Sequence, residues 1–149
     1  MKIFSQLSCH QNGGSGFTLA EVLISLGIGS LLFGGALAGY IQSATRAEWT
    51  SYNLAGHSMA MQHAEMARAA KWDTQVQVDE LVASNFPQTV EALDVPVWGT
   101  NTAYATNTIT ISTISSSPPV KMIQVATVWA FRSRGLFTNL TITYRSPDQ

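Results

Sequence analysis

The chain has 149 residues, a formal net charge of −1 at pH 7 and only 11% charged residues. This length limits it to one small globular domain with appended segments, and the lack of a basic surplus argues against a nucleic-acid-binding protein. Cys9 is its single cysteine, so no intrachain disulfide can form.

The first long element is an apolar run from Phe17 to Ile41, in which Glu21 is the only charged residue. The run is about 25 residues long, so as a helix it would extend about 37 Å, enough to cross a bilayer core of about 30 Å. The sequence therefore predicts a transmembrane helix over 17–41 behind a polar leader over 1–16. A carboxylate in such a helix costs on the order of 3 kcal/mol and predicts a partner for Glu21.

Gly16-Phe17-Thr18-Leu19-Ala20-Glu21-Val22 resembles the processing site of type IV prepilins and type II secretion pseudopilins. The resemblance implies that a prepilin peptidase cuts after Gly16 and that the new N-terminal residue, Phe17, is N-methylated. It also implies that Glu21 guides assembly, and a free α-amino group on Phe17 would be a suitable partner for Glu21 of a neighbouring subunit.

Two other interpretations of this segment stay open. It is also consistent with an ordinary signal anchor in which Glu21 is accidental. Ala36-Leu37-Ala38 has the small-x-small pattern of a secretory signal peptide cut before Gly39. The interruption of the apolar region by Glu21, and a leader in which Lys2 is the only basic side chain, argue against that cleavage.

The resemblance implies a structural rather than an enzymatic function, as a subunit of a type IV pilus or type II secretion pseudopilus. Its partners would be the prepilin peptidase, other pilin or pseudopilin subunits, the inner-membrane assembly platform and membrane lipid. It would span the inner membrane once, with a cytoplasmic N-terminus and a periplasmic head, before entering a filament. The lack of cysteine after cleavage favours a pseudopilin or a minor subunit, and the resemblance is to a minor pseudopilin in particular. Glu21 favours a body or sub-tip position over the tip.

Two functional alternatives remain: an unprocessed, single-pass membrane-anchored binding protein, and a DNA-uptake pilin. The second would use Arg132, Arg134 and Arg145, which we expect at one basic end of the last hairpin. A nucleic-acid partner is not expected otherwise.

Two helical surfaces are predicted. Gly35 and Gly39 have the small-xxx-small spacing at which membrane helices approach closely. Residues 42–72 lack proline and predict an amphipathic extension of the helix that ends near Trp72. Residues at alternating spacings of three and four form one stripe on this helix, which is either the seat of the head domain or a subunit–subunit surface. The stripe consists of Trp49, Tyr52, Gly56, Met59, His63, Met66 and Ala70.

The remaining residues, 73–149, predict a small antiparallel β head. Residues 79–83 suggest a short helical turn. Alternating patterns predict strands over Tyr104–Ile114, Lys121–Phe131 and Leu136–Arg145, the last two forming a hairpin with Gly135 at a positive φ. The predicted fold class is thus α+β and pilin-like, with a long N-terminal helix packed on a small antiparallel sheet.

The head shows no pattern of catalytic residues, and no cofactor is expected. Its acidic residues are too dispersed to predict a calcium loop, so we expect no metal and a solvated acidic flank; these residues are Asp73, Asp79, Glu80, Glu91 and Asp94.

Overall fold

The computed structural model describes residues 16–96 and 102–148. The predicted leader, apart from Gly16, lies outside these residues. In chain order the elements are α1 (Leu19–Arg68), β1 (Trp72–Asp73), β2 (Val78–Asp79), a 3-10 turn (Ala83–Asn85), β3 (Thr89–Ala92), β4 (Tyr104–Ser116), β5 (Pro119–Ala130), a 3-10 turn (Arg132–Arg134) and β6 (Leu136–Arg145). The chain divides into two units, one ending at Ser43 and one formed by Ala44–Gln149.

The first unit contains the apolar part of α1. Within the described residues, α1 is the one helix long and apolar enough to cross a membrane, with a mean hydropathy of 1.9 in its most apolar 18-residue window. No residue of that window is buried within the chain. A helix of this length and composition satisfies its own backbone groups in lipid, so this unit indicates membrane anchoring.

The second unit contains a four-stranded antiparallel sheet in the order β3-β4-β5-β6, together with the small β1-β2 pair. The strands predicted over Tyr104–Ile114, Lys121–Phe131 and Leu136–Arg145 are confirmed. Gly135, in the connection between β5 and β6, has a φ of 103°, the positive value predicted for it. Alternate residues of β5 face the core because side chains of a strand point to opposite sides.

The core of this unit lies between the sheet and the second half of α1. Ile123 and Val125 on β5 are buried against a seam of alanines on the helix. That seam consists of Ala60, Ala64 and Ala67. The small side chains bring the helix axis close to the sheet, so large β5 residues fill the layer between them. Trp129, also on β5, is buried in a second cluster, against which Tyr52 and Met59 pack.

The predicted stripe is therefore wrong in its C-terminal part. Gly56 and His63 are buried as predicted, but Met66 is 51% exposed and Ala67 is fully buried in its place. The helix packs closely on the sheet, so its smallest side chains face the sheet. A pattern based on hydrophobicity does not predict which small residues are buried in this way. In this part of the helix the buried position is Ala67, one residue after the predicted Met66.

At Gly56 the helix lies in close contact with side chains of the sheet. A Cβ atom built on Gly56 would lie 2.6 Å from Asn139 Oδ1 and 2.7 Å from Trp129 Nε1. Trp129 Nε1 donates to Asn139 Oδ1 at 2.6 Å, and Asn139 Nδ2 donates to Asn53 Oδ1 at 2.8 Å. Glycine at this position leaves room for a hydrogen-bonded link from β5 through β6 to the helix.

Two local predictions are wrong. The helix ends at Arg68, and Trp72 lies in β1, where it is buried and the Lys121 ammonium lies 4.8 Å from its ring centroid. Residues 79–83 do not form a helical turn, because Asp79 pairs in β2 and Leu81 is fully buried in the core. Burial of Trp72 and Leu81 explains why the chain leaves the helix early. The predicted α+β architecture of a long N-terminal helix and a small antiparallel sheet is confirmed.

Candidate assembly site

The carboxylate of Glu21 caps the first turn of α1. Glu21 Oε2 accepts hydrogen bonds from the Thr18 backbone N–H at 2.8 Å and the Thr18 hydroxyl at 2.9 Å. In return, the Glu21 N–H donates to Thr18 Oγ1 at 3.3 Å. Since α1 begins at Leu19, Thr18 is the N-cap and Glu21 the third helical residue. This reciprocal pair is a capping box, which satisfies backbone donors that a helix start leaves unpaired.

Glu21 thus has an intramolecular role that the sequence interpretation missed. The signal was present in the spacing, because threonine followed three positions later by glutamate before an apolar run is the capping-box pattern. The capping contacts use two of about four acceptor positions of a carboxylate. Glu21 therefore keeps acceptor capacity and its charge while it caps the helix.

The predicted cleavage position lies immediately before this cap. Gly16 and Phe17 precede the helix, and both are exposed. The Phe17 side chain is 84% exposed, and a Cβ added to Gly16 would meet no atom within 4 Å. The peptide bond between these residues is thus open to an approaching protease. Cleavage and methylation at this bond stay predictions.

The glycines of the apolar segment present open surface. A Cβ added to Gly35 or Gly39 would meet nothing within 4 Å, so neither glycine packs against another described part of the chain. Their role in helix packing remains a prediction. A separate apolar furrow of about 760 Å³ runs along the first turns of α1. Gly29, Leu26 and Phe33 are among the residues that line it, and the spacing of Gly35 and Gly39 did not indicate this surface.

The acidic residues of the head have separate partners rather than one shared site. Asp79 pairs with the Lys121 ammonium, and Glu91 Oε1 lies 3.1 Å from His63 Nε2. Glu80 accepts a hydrogen bond from the backbone of Lys71 at 3.0 Å. Within residues 16–96 and 102–148, no group of three or more His, Cys, Asp or Glu side chains could hold a metal ion. These carboxylates tie the loop after α1 to the sheet and the helix.

The three arginines do not form one basic end. Arg132 pairs with Glu48 on α1, while Arg145, at the other end of β6, donates to the Ala70 carbonyl and pairs with Asp148 at 2.7 Å. The predicted clustering of these residues at one end of the hairpin is wrong, because β6 separates Arg132 from Arg145 by its full length. The contacts of Arg132 and Arg145 are intramolecular links to the middle of α1 and to the residues that follow it.

Asp148 fastens the residues after β6 to β1. Its carboxylate accepts a hydrogen bond from the Trp72 N–H at 3.0 Å and also pairs with Arg145. The Trp72 N–H, followed by the Arg145 guanidinium, holds the pKa of Asp148 below its usual range. The ionised form is therefore favoured in the folded chain.

Comparison with known proteins identifies one segment. Residues 12–37 match the prokaryotic N-terminal methylation motif. No curated protein and no solved structure matches the chain. The matched segment contains Gly16, Phe17 and Glu21, the residues that the sequence interpretation selected for processing and assembly.

Proposed function

We propose that this chain, which carries the N-terminal methylation motif of type IV pilin-like and pseudopilin-like proteins, is a structural subunit of a membrane-derived filament. The observation that carries the proposal is the position of the motif. Residues 12–37 match it and include the first turns of a 50-residue helix, α1, whose apolar part contains Glu21 as its single charge. The motif belongs to structural subunits and not to enzymes.

In this proposal a prepilin peptidase cuts after Gly16 and the new α-amino group of Phe17 is methylated. Before assembly, the chain spans the inner membrane once, with its N-terminus in the cytoplasm and the head in the periplasm. The exposed Gly16–Phe17 bond, outside the helix, supports cleavage there. The apolar helix supports storage in the membrane. The assembly platform then adds the subunit to a filament.

Glu21 would receive the charged amine of a neighbouring subunit during this addition. A carboxylate in lipid is stabilised by an opposite charge, and the amine of Phe17 is the charge that cleavage creates at the same depth. The capping box supports this role because it fixes the Glu21 side chain at the helix start without removing its charge. The open surfaces at Gly29, Gly35 and Gly39 would admit neighbouring helices.

Within the filament we assign the chain to a minor pseudopilin of the body or sub-tip region. The glutamate supports this assignment, because a subunit at the tip has no subunit above it whose amine needs a partner. The mature chain would also contain no cysteine to fasten its head. The separation of Arg132 from Arg145 gives no support to a DNA-uptake function.

The test compares filament assembly by variants that separate the two roles of Glu21. Glu21→Gln retains a side-chain oxygen that can accept the Thr18 bonds but removes the charge, whereas Thr18→Val removes the hydroxyl from the cap and keeps the charge. We expect at least a tenfold loss of filaments for Glu21→Gln and Glu21→Ala, and near-normal assembly for Thr18→Val. Filaments are measured by shearing and immunoblotting.

Processing is followed in the same cells by mass spectrometry of the N-terminal peptide. All three variants should yield chains that begin at methylated Phe17, so a loss of filaments would not reflect failed cleavage. Wild-type assembly by Glu21→Gln would contradict charge pairing. Wild-type function of a chain that keeps its leader would instead favour the anchored binding protein.

A further inference from the structure

Among the residues that the structure describes, the side of the sheet that faces away from α1 carries no charged residue. We call the outward-pointing residues of β3–β6 the outer sheet face. The strand register assigns to it Val90, Ala92, Tyr104, Thr106, Thr108, Thr110, Ser112, Met122, Gln124, Ala126, Val128, Ala130, Leu136, Thr138, Leu140, Ile142 and Tyr144. A sheet face in contact with water normally carries polar and charged residues. This face carries Thr, Ser and Gln but no charge, and six of its large apolar side chains are exposed, which points to a surface that a partner covers.

The apolar residues of this face are concentrated on β6 and β5. Leu136 is 74% exposed and Tyr144 is 62% exposed, at the two ends of β6. Between them, Leu140 lies opposite Ala126, and Ile142 lies opposite Gln124. The apolar β6 residues share one side of the strand, and that side points away from the helix. The result is a strip of exposed apolar side chains, interrupted on β6 by Thr138, where solvent would be expected.

The lack of charge restricts the class of partner. A lipid surface with anionic headgroups would favour lysine and arginine around the strip, and the outer sheet face contains neither. A partner of opposite charge would require a charge on this side. A second copy of the same face presents no charge, so two copies can meet about a two-fold axis without opposing like charges. The chemistry of the face is thus complementary to itself.

We propose that two copies of this protein pair through their outer sheet faces, sheet against sheet. The two layers would lie about 10 Å apart with their apolar side chains interleaved, as in a β-sandwich. Such a contact is closed, because each subunit uses the same face once. It therefore differs from the open-ended contacts that extend a filament, and it does not depend on the proposed role of Glu21.

The area of the face is sufficient for this contact. Strands of 10–13 residues extend about 33–44 Å, and three neighbouring strands with the short β3 give a face of about 530 Å². Two such faces bury about 1,060 Å², just above the roughly 1,000 Å² expected of a specific interface. The pair should therefore be of modest affinity and should form when both copies are held in one membrane, which raises their effective concentration.

The experiment uses the full-length chain in its own membrane, with Cys9→Ser as background. Ala126→Cys places a thiol at the centre of the outer sheet face, and Gln75→Cys provides an exposed control in the loop after β1. A bismaleimide shorter than about 14 Å, the distance of three strand spacings, is added. An edge-to-edge pair through β6 would separate the two β5 strands by that distance, so the reagent would not join them.

We expect a homodimer from Ala126→Cys, and at least tenfold less product from the Gln75→Cys control. Adding Leu140→Glu, directly opposite Ala126, should reduce the dimer at least tenfold because two carboxylates would meet across the two-fold axis. Mixing subunits that carry Leu140→Glu with subunits that carry Leu140→Lys should restore it. Leu140 is 52% exposed, so these changes should leave the thermal midpoint of the head close to the wild-type value.

Three results would overturn the proposal. The first is no homodimer from Ala126→Cys, including the case in which the thiol reacts only with a protein of different mass. The second is efficient crosslinking from Leu140→Cys but not from Ala126→Cys, which would indicate pairing of β6 edges. The third is loss of the Ala126→Cys dimer in a Glu21→Ala chain, which would assign the contact to the filament rather than to a separate pair.

Discussion

Replacing Gly56 by alanine should destabilise the head although it adds a better helix former. On propensity alone, the change would stabilise a helix interior by about 1 kcal/mol. In this chain the new methyl group would lie 2.6 Å from Asn139 Oδ1, and 2.7 and 2.9 Å from Nε1 and Cδ1 of Trp129. Carbon atoms in contact normally stand about 3.5–4.0 Å apart, so the helix must move from the sheet by roughly 1 Å.

Neither neighbour can yield at low cost. Trp129 is 1% exposed and stacks on Phe137 with ring centroids 5.1 Å apart, while Asn139 also accepts from Trp129 and donates to Asn53. Overpacking of this kind costs about 1–3 kcal/mol, and stretching a buried hydrogen bond adds about 1 kcal/mol. After subtraction of the gain in propensity, Gly56→Ala should lower the free energy of unfolding by about 1–3 kcal/mol.

The assay is thermal unfolding of the full-length chain in detergent micelles, followed by near-UV circular dichroism. A loss of 1–3 kcal/mol corresponds to a decrease of about 4–12 °C in Tm for a head of this size. Gly34→Ala is the matched control, because its added methyl group would meet no atom within 4 Å. A Tm of Gly56→Ala at or above the wild-type value would refute the close approach of helix and sheet.

Three further changes test the head. The Trp72 N–H holds the pKa of Asp148 low, so ionised Asp148 stabilises the folded head. This contribution should be complete above the ordinary aspartate pKa of about 4 and should disappear as the pH falls through the folded pKa. Asp148→Asn should therefore flatten the acidic part of a plot of Tm against pH. Asp79→Asn should lower stability by about 1–2 kcal/mol in urea titrations, because the Lys121 ammonium, whose side chain is 10% exposed, loses its ionised partner. Ser112→Ala should leave Tm unchanged or raise it, since the Ser112 hydroxyl is buried without a hydrogen-bond partner in the described residues; a clear decrease would contradict that description.

The strands of the last hairpin were predictable because the alternation of their apolar residues fits a strand and not a helix. Ile123, Val125 and Trp129 alternate along β5, and a period of two places them on one face. The side taken by the apolar residues of β6 was not predictable in the same way. Pairing with β5 sets that side, and it directs Phe137 and Asn139 toward the helix while Leu140 points outward.

The seam of the helix shows a limit of hydrophobic patterning. Met66 scores as a core residue and Ala67 does not, yet Ala67 is the buried one. The distance between helix and sheet decides this, and that distance depends on contacts between residues far apart in the chain. The need for glycine at position 56 was not predictable for the same reason, because it is set by Trp129 and Asn139 on the sheet.

The candidate assembly site was predictable as a motif but not as a structure. Gly16, Phe17 and Glu21 follow from the residues themselves, and the match over 12–37 supports that selection. The capping box between Thr18 and Glu21 was overlooked because the charge of Glu21 in an apolar helix suggested a distant partner alone. The pairing of outer sheet faces could not be inferred from sequence, since it depends on the register of four strands.

The central claim is that this chain is processed as a filament subunit, and the mass of its N-terminal peptide tests that claim most directly. The protein is extracted from membranes, digested, and its first peptide is identified by mass spectrometry. The account predicts a peptide that begins at N-methylated Phe17. A peptide that retains Met1, or a chain that begins at Gly39, would contradict it.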